Sequence, residues 1–364
     1  MNRPVSHNTP ILRMGASLRN VKAAHCMPVW QSVMYRDRVP LYQRLEEQRG
    51  SKVVVYVTGD RRGLETVIAS EVLDFFLDHL DTIQQSDLIS LYLYTRGGDT
   101  LAAWSLVHLI RQFCNRFEVI VPFKSHSAGT LICLGANNIV MTKQATLGPI
   151  DPSVNTPLNP EVPGTTNRWP VSVEAISGYL ELARENGVVK SADWANVLKV
   201  LTEYVHPLVL GQAFRTRSQI RMLGQRLLSH QYEDATQIEN ILAFLCSESG
   251  SHAYTIYRQE ARNLGLTVET PTPELYETIW SIYESVAREL HLTEPFDPKV
   301  VLGENDAGDY VAARALIESA EGGSHVFVTE GSLTRQRIRH PQTGMTQEAI
   351  QTTKTSEGWR HENV

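Results

Sequence analysis

Three times in succession a run of β-branched and aromatic residues ends in a glycine-bearing turn and gives way to helical periodicity. The first run is Val53-Val54-Val55-Tyr56-Val57, closed by Gly59-Asp60-Arg61-Arg62-Gly63. Apolar positions at Leu64, Val67, Ile68, Val72, Leu73, Phe76 and Leu77 then predict a helix. A second run, Leu88 to Tyr94, enters Thr95-Arg96-Gly97-Gly98-Asp99, with a helix predicted from about Thr100 to Cys114. The third, Phe117 to Phe123, enters Lys124-Ser125-His126-Ser127-Ala128-Gly129-Thr130 and a further helix-like segment. This rhythm means βαβ units on a largely parallel sheet, an α/β fold whose sites form beyond the strand C-terminal ends.

A short apolar strand, Asn138 to Thr142, and the turn Leu147-Gly148-Pro149-Ile150-Asp151-Pro152 follow. The proline-rich stretch 153–170 reads as a surface excursion, and helices are predicted near 172–186, 191–205, 206–229 and 236–248. One of these carries Arg215, Arg217, Arg221 and Arg226, either as a solvated or subunit-pairing face or as an anion site. An α-to-β passage runs from Arg258 to Val268. The expected organisation is an N-terminal extension over 1–50 and a core over 51–270 with its helical excursion at about 153–248. A helical and strand appendage over 271–331 and a polar, loosely ordered tail over 332–364 complete it.

Composition removes several functional classes. The 34 Lys and Arg against 40 Asp and Glu give the 364-residue chain a net charge of −6, the wrong sign for a dedicated nucleic-acid binder. The longest charge-free run, Ser125 to Thr142, contains Asn, Thr and Gly and is no membrane span, and the N-terminus lacks the apolar centre of a secretory signal. A soluble, cytoplasmic protein is therefore expected. Cys26, Cys114, Cys133 and Cys246 lack CxxC or metal-ligand spacing and read as reduced, mostly buried thiols. No cofactor or metal is expected, and no GxxxxGK[ST] loop occurs, so ATP-driven unfolding would need a separate partner.

Two of the turns carry the chemistry. Glycine at a strand end lets backbone N–H groups approach a ligand, and the first N–H groups of a helix are unpaired and favour developing negative charge. Gly97 and Gly98 offer one such donor, and the N–H of Ala128 offers another beside the Ser127 hydroxyl. A hydroxyl next to two convergent N–H groups suits acyl transfer. Ser127 is equally placed to be an ordinary helix N-cap.

The segments Tyr94 to Asp99, Ser125 to Thr130 and Leu147 to Pro152 resemble the serine dehydrogenase proteinase family. That family is a branch of the Clp-protease/crotonase superfamily related to signal peptide peptidase A. The resemblance runs from about Val53 to Val268 and implies a ClpP/crotonase-type spiral of ββα units with additional helices. It implies a serine peptidase acting on peptide or protein substrates, usually as a homo-oligomer, with Ser127 as nucleophile and the N–H groups of Gly98 and Ala128 as oxyanion hole.

The base is less uniquely marked. Where Clp peptidases carry their histidine this chain has Pro152, next to Asp151, while His252 precedes Tyr254 where the family's aspartate precedes an aromatic. The resemblance thus suggests a triad with acid and base exchanged, His252 as base and Asp151 as its partner. Lys190-Ser191 resembles the lysine context of signal peptide peptidase A, which makes Lys190 the alternative base. His126 is expected to point away from Ser127, and His206 to start a helix. Other readings of the same residues are an α/β-hydrolase-type esterase, since Ser127, Asp151 and His252 follow that order, a crotonase-like acyl-CoA enzyme, and a catalytically silent Clp-fold interaction protein.

Overall fold

The computed structural model describes residues 30–150, 153–187, 191–248, 251, 253–339 and 346–362. The first β-branched run is β1 (Lys52–Thr58), preceded by helix α1 (Trp30–Arg49). Then follow α2 (Val72–Ile83), β2 (Ser86–Tyr94), α3 (Thr100–Arg111), β3 (Cys114–Val121), the two-residue β4 (Lys124–Ser125), α4 (Ala128–Leu134), β5 (Asn138–Met141) and β6 (Thr146–Leu147). Strands β1, β2, β3 and β5 pair in parallel. Six successive residues of β1, Val53 to Thr58, are buried, as a parallel strand covered on both faces requires. Val54 and Tyr56 pack with Phe76 of α2 and Leu106 of α3, whereas Val53, Val55 and Val57 pack on the opposite side with Tyr42 of α1. Each such valine contributes roughly 1.5–3 kcal/mol by leaving water.

The proline-rich excursion is tied by β7 (Ser153–Val154) and β8 (Val171–Ser172). Helices α5 (Val173–Glu185), α6 (Ser191–Tyr204), α7 (Pro207–Leu228) and α8 (Ala235–Ala243) follow, close to their expected bounds. The last expected helix changes to a π turn at Phe244–Glu248. Next come β9 (Ile256–Tyr257), α9 (Arg258–Asn263), β10 (Val268–Glu269), α10 (Pro273–Glu289), α11 (Pro298–Leu302), β11 (Ala307–Ser319), β12 (Gly323–Arg339) and β13 (Thr346–Glu362). The large sheet has eight strands in the order β10-β5-β3-β2-β1-β11-β12-β13. A three-stranded sheet, β4-β6-β9, stands beside it. Because β4 follows β3 and β6 follows β5, these two parallel strands each hand the chain to a short strand of the second sheet. This is the ββα spiral expected of the ClpP/crotonase type.

Two local expectations are corrected. The periodic stretch from Leu64 is not helical until Val72, because its backbone is engaged elsewhere. Thr66 donates to the Gly59 carbonyl at 2.8 Å, and Ile68 exchanges two 2.8 Å bonds with the Gly97–Asp99 turn. The polar C-terminal residues are not loosely ordered where described. Residues 323–339 and 346–362 form a long antiparallel hairpin that extends the large sheet, its backbone paired from Ser324↔Glu362 to Arg339↔Thr346. Its alternating Phe327, Thr329 and Trp359 positions carry β-propensity that net polarity conceals. Helix α1 is anchored by an ion-pair network. The fully buried Arg38 guanidinium lies 2.6 Å from Glu318 of β11 and 2.6 Å from Glu289 of α10, and Tyr42 donates to the same Glu318.

Candidate active site

The turn after β2 is held by hydrogen bonds on both flanks. On one side the Gly97 carbonyl accepts from Ile68 and the Asp99 N–H donates to Ile68, each at 2.8 Å. On the other, the Thr95 N–H donates to Lys124 and the Thr95 carbonyl accepts from His126, both at 3.1 Å. Thr95 Oγ1 also accepts from the Gly97 N–H at 2.9 Å, and the Asp99 carboxylate caps α3 through the N–H groups of Leu101 and Ala102. Gly97 has φ 111° and Gly98 φ 149°, values that disfavour a side chain. Space excludes one as well. A Cβ on Gly97 would fall 2.7 Å from Ser127 Cβ, and one on Gly98 would fall 2.3 Å from the Ile68 carbonyl oxygen.

These bonds fix where the Gly98 N–H points. The peptide between Gly97 and Gly98 is trans, so its N–H is directed opposite to its carbonyl. Since the Gly97 carbonyl accepts from Ile68, the Gly98 N–H faces away from Ile68. The Ala128 N–H opens α4 at the same place, 3.2 Å from the point where a Gly97 Cβ would lie.

Ser127 occupies the N-cap position of α4 without acting as a cap. Its side chain accepts no capping hydrogen bond, and its backbone is at φ 52°, ψ −116°. A serine held at positive φ costs on the order of 1–3 kcal/mol and persists only where the surroundings impose it. The half-buried Ser127 looks into a cleft of about 410 Å³ bounded by Gly97, Gly98, Val67, Ser153 and Gln219. Helix α7 of the excursion thus forms one wall of the cleft.

The small sheet organises the remaining candidates. Strand β4 runs parallel to β6, and β6 runs antiparallel to β9. Residues that follow β4, follow β6 or precede β9 therefore leave the sheet at one end. Ser127 follows β4, Gly148 and Pro149 follow β6, and Tyr254 and Thr255 precede β9. Thr130 of α4 ties the second segment to the first, donating to the Gly148 carbonyl at 2.7 Å. The Ile150 N–H donates to Leu245 of the π turn at 2.8 Å. Asp151, His252 and Lys190 themselves lie outside the described residues.

Other side chains leave the contest. The His126 ring sits 2.9 Å from Thr146 Oγ1 and against Gly148, so it is turned towards β6. His206 caps α7, its Nδ1 accepting from the Leu208 N–H at 3.2 Å. Burial pushes the Cys133 and Cys246 thiols up to about 12, which disfavours their thiolate forms. Cys114 is half-buried, and Cys26 lies outside the described residues. Of the arginines on α7, Arg217 binds Ser177 and Ser247 and Arg221 pairs with Glu239, so these two tie the helical excursion together. Among the described residues no cluster suits a metal ion, and no helix is long and apolar enough to cross a membrane.

The α/β spiral thus places a strained serine beside the Gly97-Gly98 turn, at the head of a helix. Among known sequences, residues 26–164, the segment bearing the β2, β4 and β6 turns, match the family model of ClpP-like SDH-type serine proteinases. Two curated proteins of Methanocaldococcus jannaschii, both called uncharacterized, are also similar. One is 29% identical over 221 residues, covering 60% of this chain and 66% of its own length. The other is 23% identical over 258 residues, covering 66% and 75%. The present chain thus spans just under two thirds of the first relative. Among solved structures, an alanine mutant of the 1510-N membrane-bound stomatin-specific protease aligns with TM-score 0.37 and 18% identity, over 63% of this chain and 85% of that one. ClpP1 from Listeria monocytogenes aligns with TM-score 0.34 and 16% identity, over 65% and 99%.

Proposed function

We propose that the chain is a serine peptidase that cleaves peptide bonds through an acyl-enzyme on Ser127. The observation that carries this reading is the strained, uncapped Ser127 at the head of α4. Its hydroxyl attacks the scissile carbonyl, and the N–H groups of Gly98 and Ala128 receive the developing oxyanion. Each such donor is worth about 10²–10³ in rate. His252 acts as base and Asp151 orients it. The common exit of the chain after β4, after β6 and before β9 favours this pair over Lys190, which lies between α5 and α6. In the first step the Ser127 proton passes to His252 as the ester forms, and His252 then returns it to the departing amine. A water activated by the same histidine releases the acyl group.

The exposed apolar residues Tyr204, Leu208 and Phe214 around the start of α7 supply a face for a homo-oligomer that encloses the site. A cytoplasmic setting, and a separate regulatory or unfoldase partner that delivers substrate, complete the proposal. Hydrolysis of an unfolded protein substrate tests it. Ser127→Ala is expected to abolish cleavage, and His252→Ala to slow it by about 10²–10⁴-fold, the range for a lost general base. Lys190→Ala is expected to stay near the parent rate. Equal cleavage by the parent and Ser127→Ala would reject the nucleophile, and a larger loss at Lys190 than at His252 would reassign the base.

A further inference from the structure

The Ser127 cleft does not end at Val67. This residue is 58% exposed and forms a ridge, bordering the cleft on one side and a second hollow of about 200 Å³ on the other. The far wall of that hollow comes from the C-terminal hairpin. Phe327 of β12 and Trp359 of β13 lie with ring centroids 5.5 Å apart, and Trp359 is braced from behind by Phe75 of α2 at 5.2 Å. Its lining is mostly apolar, but its rim is acidic. Glu65 and Glu71 stand at the edge, and Glu71 accepts the Trp359 indole N–H at 3.1 Å. Glu65 accepts the Gly63 N–H at 3.1 Å.

A third carboxylate, Glu357, is neutralised by Arg314 at 2.5 Å. The same guanidinium binds the carbonyls of Leu64 and Glu65 and sits 5.6 Å from the Phe327 ring centroid. The one arginine of the hollow is therefore fully engaged, and the charges of Glu65 and Glu71 have no cationic side-chain partner among the described residues. An aromatic, apolar trough with two uncompensated carboxylates at its mouth matches a long aliphatic stem tipped by a positive charge.

From this we infer that the hollow is a substrate side-chain subsite selecting lysine or arginine a few residues from the scissile bond. The inference rests on the reading of Ser127 as nucleophile. The peptide crosses Val67, its basic side chain lays its stem against Trp359, and Glu65 and Glu71 receive the cationic tip. The C-terminal hairpin is then a specificity element of the peptidase, brought beside the catalytic turn by the pairing of β11 with β1.

The test measures how fast Ser127 is captured by peptidyl phosphonates carrying Lys, norleucine or Glu at each position in turn, with a plain alkyl fluorophosphonate measured alongside. At one position the Lys probe is expected to react about 10-fold faster than the Glu probe, the scale of a desolvated cation–π and charge contact. The preference is expected to shrink below about 3-fold in Glu65→Gln/Glu71→Gln and to weaken with added salt. If the plain probe labels Ser127 but no position favours Lys, or the preference survives in the double variant, the subsite is overturned and the nucleophile stands. If the plain probe also fails, the reading of Ser127 falls and the subsite with it.

Discussion

Ser127→Gly is expected to make the protein more stable and catalytically dead at once. The strain at φ 52°, ψ −116° is of order 1–3 kcal/mol for a residue with a Cβ, and glycine releases it. Against this stands the greater freedom of glycine in the unfolded chain, about 0.4–1 kcal/mol. No side-chain cap is lost, because the hydroxyl makes none. The net gain expected is about 1 kcal/mol, read as a higher denaturant midpoint at unchanged slope. Turnover is expected to fall by about 10⁴-fold or more, as when a covalent nucleophile is removed. Were Ser127 only a helix cap, glycine would cost a few tenths of a kcal/mol and leave turnover in place. Stability and activity moving in opposite directions is therefore the signature of a residue held strained for its chemistry.

The largest effect on stability is expected at Arg38. Its side chain is fully buried and pairs with both Glu318 and Glu289 at 2.6 Å. Tyr42 and Ser324 add hydrogen bonds to Glu318. Arg38→Ala removes the cation from the fully buried Glu318 in the apolar layer that joins α1, α10 and β11, and breaking such a buried pair costs about 3–5 kcal/mol. Removing charge from both partners is expected to recover part of this, so Arg38→Ala/Glu318→Gln should lose less than the sum of the single losses. Urea unfolding of the four proteins in the cycle checks both statements. A single-variant loss below about 1 kcal/mol would mean that water or a rearranged partner compensates the carboxylates.

Residues close in sequence announced most of the core. The valine-rich β1, the β2 run into Gly97-Gly98 and the Ser-His-Ser-Ala-Gly turn each contain the information for their own geometry, because strand propensity and glycine turns are local. The stretch from Leu64 to Ser70 departs from its helical pattern for the opposite reason. Its apolar spacing suits a helix, yet Ile68 bonds to the distant Gly97–Asp99 turn, and nothing local signals that partner. The second half of the β12–β13 hairpin resembles a tail because its residues are mostly polar, and the partner that orders each strand lies across the hairpin rather than beside it in sequence. The hollow beside Val67 joins residues from positions 65–72 with Trp359, so no motif spacing could reveal it. Asp151, His252 and Lys190 are suggested by the family resemblance, and the described neighbours of the first two leave the small sheet at one end.

The most direct measurement of the central claim is covalent capture. The folded parent protein is treated with an alkyl fluorophosphonate, digested, and the modified residue located by mass spectrometry. One adduct per chain on Ser127, absent from Ser127→Ala and from the unfolded parent, is the predicted result. An adduct elsewhere, equal labelling of Ser127→Ala, or an unmodified Ser127 in the folded protein would contradict it.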